Sequence, residues 1–313
     1  MSSKKPKQYL VVLDVGAGSA AVLHDEGGTV VFDTGKGVHV GRHLENASVR
    51  RVQAMLLSHA DADHIGGAVT LLLNPTLRIG EVLLNSDASK DSAVFEQLRY
   101  ALAEANLHRK TKIDRRLTTS TNIERDGARI EVLHPPDAIA LLGVGGKSKS
   151  GKPHNSNSMS AAIRVSSGSK SSVLLAGDIE NDCLDEWKTR KVRPSACVLV
   201  FPHHGGMPGT SNKADAALFG FELTRMVSPD VVIFSNHRTK DENPQDEIIS
   251  AISKAAAGIR FACTQLPDRL HQDAKANKVW SLHKATGNKG IIEGSICLEF
   301  QKSGVRVCFG EAP

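Results

Sequence analysis

The order of strands and helices along this chain predicts an α/β (α+β) fold with two sheets in a single domain. Short apolar strands separated by glycine-rich turns begin the chain, segments with apolar residues at helical spacing follow, and a hairpin pattern closes it. The 313 residues are enough to bury a sizeable core, and a content of 40% hydrophobic and 23% charged residues is ordinary for a soluble globular protein.

The first half of the chain combines strands with helices. Glycine-rich turns separate its first three apolar runs, as expected for neighbouring short strands. In its longest helical segment, Val94, Leu98 and Leu102 recur at helical spacing. The predicted elements are, in order, strands Tyr9–Leu13, Ala20–His24 and Thr29–Phe32, a helix near Val40–Ala47, strand Ala54–Leu57, and helices Ile65–Leu73 and Ser92–Leu107.

The second half contains mainly strands. Its apolar runs are short and rich in β-branched residues, which favours strands over helices. The predicted elements are strands Arg129–Leu133, Ser160–Val165, Ser172–Leu175, Cys197–Phe201 and Val231–Phe234, helix Gln245–Ala256, and a closing hairpin of Ser295–Phe300 with Arg306–Phe309.

Two stretches differ from these elements in composition. Residues 1–8 contain several lysines and are predicted to form a flexible basic N-terminus before a single domain that spans 9–313. Residues 143–158 are rich in Gly, Ser and Lys and lie between predicted strands, which predicts a mobile loop that could cover a substrate. A plain surface loop is the alternative.

Charge and cysteine content narrow the function classes. The net charge of +5 is compatible with a polyanionic substrate, although solvated surface explains most lysine runs, and 4% aromatic residues argue against an extended base-stacking platform. The five cysteines are odd in number and form no Cys-x-x-Cys pair, which argues against a disulfide framework and a zinc finger. No segment approaches the ~20 apolar residues of a membrane span, so we expect a cytoplasmic protein without a membrane partner.

The segment Ser58–Gly67 is the most informative motif. Directly after an apolar run it carries four potential metal ligands, with His59 and Asp61 able to face one ion and Asp63 and His64 a second. Imidazole suits zinc and its neighbours, carboxylates suit manganese or magnesium, and two ions about 4 Å apart can assist a displacement at phosphorus. The alternative is a helix cap, in which Asp61 or Asp63 bonds the free N–H groups of the helix start.

This loop resembles the metal loop of the metallo-β-lactamase fold, in the form with Asp at its third position. That form is typical of the ComEC-like branch, the nuclease-type domain of DNA-uptake proteins, and a related form occurs in phosphorylcholine esterases. The similarity extends along the chain in the branch's order. Its further markers are Leu13–Gly18, Val31–Gly35, Leu133–Pro136, Asn155–Ser158, Leu174–Asp178 and Phe201–Gly206.

The resemblance implies a four-layer αββα sandwich and two divalent ions, zinc or manganese with magnesium possible. It implies that Asp178 bridges the ions, with a helix cap as the alternative role. Adjacent side chains at a strand end point in opposite directions, so we expect one of His203 and His204 to bind metal and the other to contact substrate or a ligand, and we favour His204 as the ligand.

Two departures from the branch affect these expectations. The branch has an Asn-x-x-x-His-Pro element after the strand Val231–Phe234, whereas this chain has Asn243-Pro244 without that His. Asn243 or His237 is the expected substitute, and an ordinary loop histidine is the alternative for His237. The absence of the membrane channel of full ComEC proteins also weakens a role in DNA uptake.

These expectations define a mechanism. We expect His59, Asp61, Asp178 and His204 to hold one ion, and Asp63, His64 and Asp178, with Asn243 or His237, to hold the other. A water whose pKa the ions lower would attack phosphorus in line, with Asp63 orienting that water and His203 or His237 protonating the leaving oxygen. Asp14 and Asp33 are expected to cap turns beneath the site.

The predicted function is a metal-dependent phosphodiesterase or nuclease that hydrolyses DNA or another phosphodiester. One alternative is a hydrolase of a small molecule such as a lactone, a thioester or a phosphorylcholine-type ester, because one fold supports several chemistries. Another is a regulatory module with an impaired metal site that a protein partner activates.

Overall fold

Two β-sheets pack face to face, and helices cover the outer face of each sheet. The computed structural model describes residues 8–123, 125–147, 151–239, 242–270 and 294–309. The arrangement confirms the predicted four-layer αββα sandwich.

The strands are short and all lie in one of the two sheets. In chain order they are β1 (Tyr9–Val12), β2 (Ala21–Asp25), β3 (Gly28–Phe32), β4 (Arg51–Leu57), β5 (Arg78–Leu84), β6 (Lys112–Asp114), β7 (Arg129–His134), β8 (Ala162–Ser166), β9 (Ser172–Leu175), β10 (Val198–Val200), β11 (Val231–Phe234), β12 (Arg260–Cys263), β13 (Ile296–Gln301) and β14 (Gly304–Phe309).

The helices range from a single turn to almost five turns. They are α1 (His39–Asn46), α2 (Ala62–Ile65), α3 (Ala68–Leu73), α4 (Ala93–Arg109), α5 (Asp137–Leu142), α6 (Asn181–Arg190), α7 (Lys213–Val227) and α8 (Asp246–Ala255). None of the helices in the described ranges is long and apolar enough to cross a membrane.

The first sheet has eight strands in the order β14-β13-β1-β2-β3-β4-β5-β6, and the second has six in the order β12-β11-β10-β9-β8-β7. In the first sheet the strands from β3 to β6 are parallel to one another. In the second sheet β9, β10, β11 and β12 are parallel. Parallel strands end at the same edge of their sheet, so the loops after β4, β9 and β10 are available to form one site.

The alternation of side chains along the strands separates three apolar layers. Leu10 points between the sheets, while its neighbour Val11 points to the helices on the outside of the first sheet. Outside the second sheet, α6 and α7 bury Trp187 and Phe219 completely. These layers make the strands rigid supports for the loops at their ends.

The predicted elements agree with the structure at most positions, and one prediction is wrong. The predicted helix Ile65–Leu73 is interrupted between α2 and α3. The N–H of Gly67 donates to the carbonyl of Gly35 at 2.9 Å rather than continuing the helix. A Cβ at Gly67 would lie 2.9 Å from the carbonyl oxygen of Thr34, so only glycine allows this approach of the helix to the turn after β3.

The prediction of one domain over 9–313 with a mobile loop at 143–158 stays a prediction. Within that loop, the N–H of His154 donates to the Gly146 carbonyl at 2.7 Å, and Lys147 pairs with Pro153 in a short bridge. Residues 148–150 and 1–7 lie outside the described residues.

A pair of histidines joins β2 to α1 on the first sheet. His24 Nε2 lies 2.9 Å from His43 Nε2, and the ring of Tyr9 stacks on His24 with centroids 4.9 Å apart. Burial, followed by the neighbouring His43, lowers the pKa of His24 to about 4, and burial also lowers the pKa of His43. Both rings are therefore neutral in the folded protein at neutral pH.

This pair predicts a loss of stability in mild acid. An unfolded histidine has a pKa of about 6.5, so the unfolded chain binds the extra proton first, and stability falls as the pH drops from about 6.5 towards 4. We expect His24→Gln to remove about 2 kcal/mol of the change in stability between pH 7 and pH 5. Denaturant unfolding at pH 7 and pH 5 measures it, with His39→Gln at an exposed position of α1 as control. Equal pH dependence in wild type and His24→Gln would contradict it.

Candidate metal centre

The loop after β4 presents its four candidate ligands, His59, Asp61, Asp63 and His64, from a short turn and the first turn of α2. Asp61 lies at the N-cap position of α2, yet its side chain makes no capping hydrogen bond. Its carboxylate instead forms an ion pair with Lys90, whose ammonium contacts Oδ1. The helix-cap alternative therefore does not describe Asp61.

Asp178 lies at the centre of the site, where β9 ends. It is 6% exposed, and the left-handed backbone of Gly177 turns the chain so that the carboxylate faces the metal loop. A Cβ at Gly177 would lie 2.4 Å from Ser160 Oγ, so no larger residue fits there. The N–H of Asp178 donates to that same hydroxyl at 2.9 Å, which fixes the loop to the start of β8.

Three imidazole rings surround the Asp178 carboxylate. Oδ1 lies 3.4 Å from His64 Nε2 and accepts a hydrogen bond of 3.0 Å from the His203 N–H. Oδ2 lies 3.8 Å from His59 Nε2 and 3.6 Å from His203 Nδ1. His59 Nε2 is also 3.7 Å from Asp61 Oδ2. His59, Asp61, Asp178 and His203 thus converge on one side of the carboxylate.

The second group lies on the other side of the Asp178 carboxylate. His204 Nε2 is 3.2 Å from Asp63 Oδ2, and the rings of His64 and His204 have centroids 5.6 Å apart. Ligand atoms of Asp63, His64 and His204 lie within 4.8 Å of one another, as do those of His59, His64 and Asp178. His64 belongs to both groups, so the two groups overlap.

This geometry differs from the expected distribution of ligands. His204 was expected beside His59 and Asp61, but it lies against Asp63 in the second group. The expected opposite orientation of His203 and His204 is also wrong. Both residues have left-handed backbones, with φ of 51° and 56°, so strand alternation does not apply and both rings face the carboxylates. Two successive left-handed non-glycine residues are costly, and such strain is concentrated at functional sites.

Hydrogen bonds hold the two histidines of the metal loop in one orientation. Asp33 Oδ2 lies 2.7 Å from His64 Nδ1, and Asp33 also accepts bonds of 2.7 and 2.8 Å from the N–H and hydroxyl of Ser58. His59 Nδ1 contacts the hydroxyls of Ser58 at 3.0 Å and Ser160 at 3.2 Å. These contacts leave the Nε2 atom of each ring directed at Asp178.

The donor set fits divalent metal ions. The Nε2 atoms of His59 and His64, which lie beside Asp178, are buried, and within the described part of the chain no hydrogen-bond partner reaches either atom. A buried polar atom without a partner is costly, unless a ligand satisfies it. Two atoms that each bind one tetrahedral ion at about 2.1 Å are about 3.4 Å apart. The separations of 3.4–3.8 Å between donors around Asp178 are close to that value.

The electrostatics keep the carboxylates ionised. Contact with His59, assisted by Lys90, holds the pKa of Asp61 below its usual range despite burial. Burial raises the pKa of Asp63, but His204 and His64 bring it down to about 2. Burial also raises the pKa of Asp178, but His64 and His203 together hold that pKa well below its usual range. The carboxylates are therefore in the form that binds metal at neutral pH.

The charge of His64 balances the buried carboxylates. Burial alone would lower the pKa of His64, but Asp178 and Asp33 raise it well above its usual value. A metal ligand must be a neutral imidazole, so a cation at Nε2 would displace the proton that His64 carries.

Two residues expected to complete the second group lie elsewhere. His237 is in neither ligand group of the described residues; its Nδ1 accepts a hydrogen bond of 3.1 Å from the Thr239 N–H. Asn243 lies beside the histidine turn, where Nδ2 donates to the His203 carbonyl at 3.4 Å and Oδ1 accepts from Gln245 at 3.4 Å. Asn243 also lines an open cavity of about 410 Å³ together with Asp178, His203 and His204.

Sequence reasoning missed two residues and assigned a lesser role to a third. Lys90 pairs with Asp61, and the buried Glu180 accepts a hydrogen bond of 3.2 Å from Asn155 Nδ2. Asp33 was expected to cap a turn, as Asp14 does at Gly16, but it also holds His64. The one signal for Asp33 was its place at a strand end, directly after the buried β3.

Comparison with known proteins places the chain in a family. The family model of the metallo-beta-lactamase superfamily matches residues 13–198, which is more than half of the chain. Recombination protein 2 of Haemophilus influenzae is 26% identical over 245 residues, which are 75% of this chain and 25% of that protein. The chain therefore spans about a quarter of the length of this curated relative.

Solved structures also match this chain, at low identity. The metallo-beta-lactamase fold protein YhfI from Bacillus subtilis is 14% identical, with a TM-score of 0.49 over 82% of this chain and 96% of that one. Zinc-bound PqqB from Methylobacterium extorquens is 11% identical, with a TM-score of 0.48 over 81% of this chain and 97% of that one. With its family model covering the metal loop and Asp178, this chain belongs to the metallo-beta-lactamase superfamily.

Proposed function

We propose that this protein is a metal-dependent phosphodiesterase that hydrolyses DNA or another phosphodiester. The observation that carries the proposal is the pair of overlapping ligand groups, His59 with His64 and Asp178, and Asp63 with His64 and His204. Two cations held side by side are suited to phosphoryl chemistry, because they stabilise both the attacking and the leaving oxygen. Among phosphodiesters, similarity to a recombination protein favours DNA.

We propose two zinc or manganese ions, with magnesium possible. His59, Asp61, Asp178 and His203 would hold one, and Asp63, His64, Asp178 and His204 the other. His204 thus supplies the ligand that was expected from Asn243 or His237. When bound, the ions supply Lewis-acid activation of a water and of the phosphoryl oxygens.

The remaining chemistry belongs to the side chains. The Asp63 side chain is 28% exposed, so it reaches solvent while its Oδ2 contacts His204. We propose that Asp63 orients the attacking water and accepts its proton. Asp33 and Ser58 keep His64 in place, and Asn243 supports the His203 backbone, so each holds a ligand in position without touching the substrate.

The test is cleavage of end-labelled single-stranded and double-stranded DNA by metal-stripped protein refilled with manganese, magnesium or zinc. We expect metal-dependent cleavage in the wild type and a loss of at least about 100-fold in Asp63→Asn, because the amide cannot accept the proton.

The matched control is Asp215→Asn, which removes an exposed carboxylate of α7. Full activity of Asp63→Asn would contradict its proposed role. No cleavage of DNA or of a generic phosphodiester with any of the ions would contradict the proposed function.

A further inference from the structure

A cleft lies beside the metal loop, and the proposed mechanism assigns no role to the residues that line it. Its volume is about 790 Å³, and the end of β5, the following loop, α4 and the segment after β6 form its walls. We call it the Arg99–Arg115 cleft. The side chains that the argument uses are Asp87, Lys90, Phe95, Arg99, Leu102 and Arg115.

The cleft adjoins the metal centre through Lys90. This side chain lines the cleft, and its ammonium contacts Oδ1 of Asp61 in the metal loop. A substrate bound at the metal centre can therefore continue into the cleft past Lys90.

Positive charge dominates the rim of the cleft. Arg99 on α4 and Arg115 after β6 are both exposed. Within the described ranges neither guanidinium forms an ion pair with a carboxylate, so both charges are available to an anion. Guanidinium groups bind phosphate oxygens through two parallel hydrogen bonds.

The interior of the cleft combines an apolar wall with one buried carboxylate. Leu84, Phe95 and Leu102 are buried side chains that provide an apolar wall. Asp87, which is 6% exposed, accepts hydrogen bonds at Oδ1 from the Ser89 N–H and hydroxyl at 3.0 and 2.8 Å. Its Oδ2 is buried, and no described residue donates to it. A buried carboxylate oxygen without a partner can accept an N–H of a ligand.

We propose that the Arg99–Arg115 cleft binds one nucleotide of a nucleic-acid strand, next to the phosphate that is cleaved. Arg99 and Arg115 bind the backbone phosphate, the base lies on the apolar wall, and Asp87 accepts an amino or imino N–H of the base. This subsite rests on the proposed phosphodiesterase function, and it makes a nucleic-acid strand the preferred substrate over a small diester.

The experiment compares two substrates in the double variant Arg99→Ala/Arg115→Ala. For a single-stranded oligonucleotide we expect KM to rise about 10-fold to 100-fold, and the slope of log affinity against log salt to become shallower by about 0.7, the value for one phosphate contact. For bis(p-nitrophenyl) phosphate, whose only phosphate is the one that is cleaved, no second phosphate is available to the arginines, and kcat/KM should not change.

A charge-matched control is Arg225→Ala/Lys254→Ala, which removes two exposed cations from α7 and α8 on the opposite outer layer. It should leave both substrates unaffected. An unchanged KM for the oligonucleotide in Arg99→Ala/Arg115→Ala, or an equal loss in the control, would overturn the cleft as a nucleotide site.

Asp87→Asn tests the base contact separately. An amide donates where a carboxylate only accepts, so the ratios of kcat/KM among oligonucleotides of different base composition should change, with bis(p-nitrophenyl) phosphate unaffected. Unchanged ratios would overturn the contact between Asp87 and the base.

A binding measurement distinguishes a failure of this inference from a failure of the proposed function. Fluorescence anisotropy of a labelled oligonucleotide with metal-stripped protein needs no turnover. Weaker binding in Arg99→Ala/Arg115→Ala supports the cleft even if the wild type cleaves no phosphodiester, and equal binding overturns the cleft even if it does.

Discussion

Asp178→Asn is expected to lower metal content and to reduce kcat/KM for a phosphodiester by at least about 1,000-fold, which corresponds to about 4 kcal/mol of transition-state stabilisation. The Asp178 carboxylate lies 3.4 Å from His64, 3.6 Å from His203 and 3.8 Å from His59, and in the proposed centre this one side chain would contact both ions. The amide keeps the shape but removes the negative charge that offsets two cations in a buried site. Elemental analysis after refilling, together with steady-state kinetics, measures both effects.

The control for this variant is Asp185→Asn, a carboxylate on α6 whose side chain is 74% exposed. It should have wild-type metal content and turnover. Circular dichroism establishes that Asp178→Asn is folded. A folded Asp178→Asn protein with full metal content and turnover would refute the central role of Asp178.

The second large effect concerns stability far from the metal ligands. Asp25 at the end of β2 has a side chain that is 0% exposed, and Arg125 one that is 3% exposed. Two bonds of 2.6 and 2.5 Å join the guanidinium to the carboxylate, which also accepts the N–H groups of Gly27 and Ala128 at 2.9 Å. This cluster fixes the chain before β7 to the β2–β3 turn.

We expect Asp25→Ala to lower the free energy of unfolding by about 3–5 kcal/mol, because it leaves a buried guanidinium and two backbone donors without partners. Guanidinium chloride unfolding measures the change. The double variant Asp25→Ala/Arg125→Met should recover part of the loss, since it removes the unpaired charge.

Glu222→Ala removes the partner of Lys188 in a surface ion pair with a separation of 2.7 Å. It should cost less than about 1 kcal/mol. A loss in Asp25→Ala as small as that of Glu222→Ala would show that the buried cluster contributes little to stability.

The fold was largely predictable because its elements are local patterns. Apolar runs and glycine turns predicted β1, β3, β9 and β11 to within one residue at each end, while β4 begins three residues before its predicted start. Helices α5, α6 and α7 and strands β5, β6 and β12 were missed. Strand β5 contains Gly80 and Glu81, which interrupt its apolar run, and its partners on both sides of the sheet stabilise it.

The candidate ligands could also be predicted from short segments of the sequence. His59, Asp61, Asp63 and His64 lie in one loop, and Asp178, His203 and His204 follow short apolar strands. Parallel strands that end at one edge bring such residues together, so sequence alone predicted the fold class and these seven candidates, although it also named His237, which is in neither ligand group of the described residues.

Tertiary structure decided how these residues are paired. The left-handed backbone at His203 and His204 accompanies the contact of His204 with Asp63, so the turn after β10 and not strand alternation sets the direction of these rings. The support of His64 by Asp33 and the contact of Lys90 with Asp61 join residues 31 and 29 positions apart. Hydrogen bonds and ion pairs form between whatever groups the folded chain brings within reach, so residue types and spacings could not specify these partners.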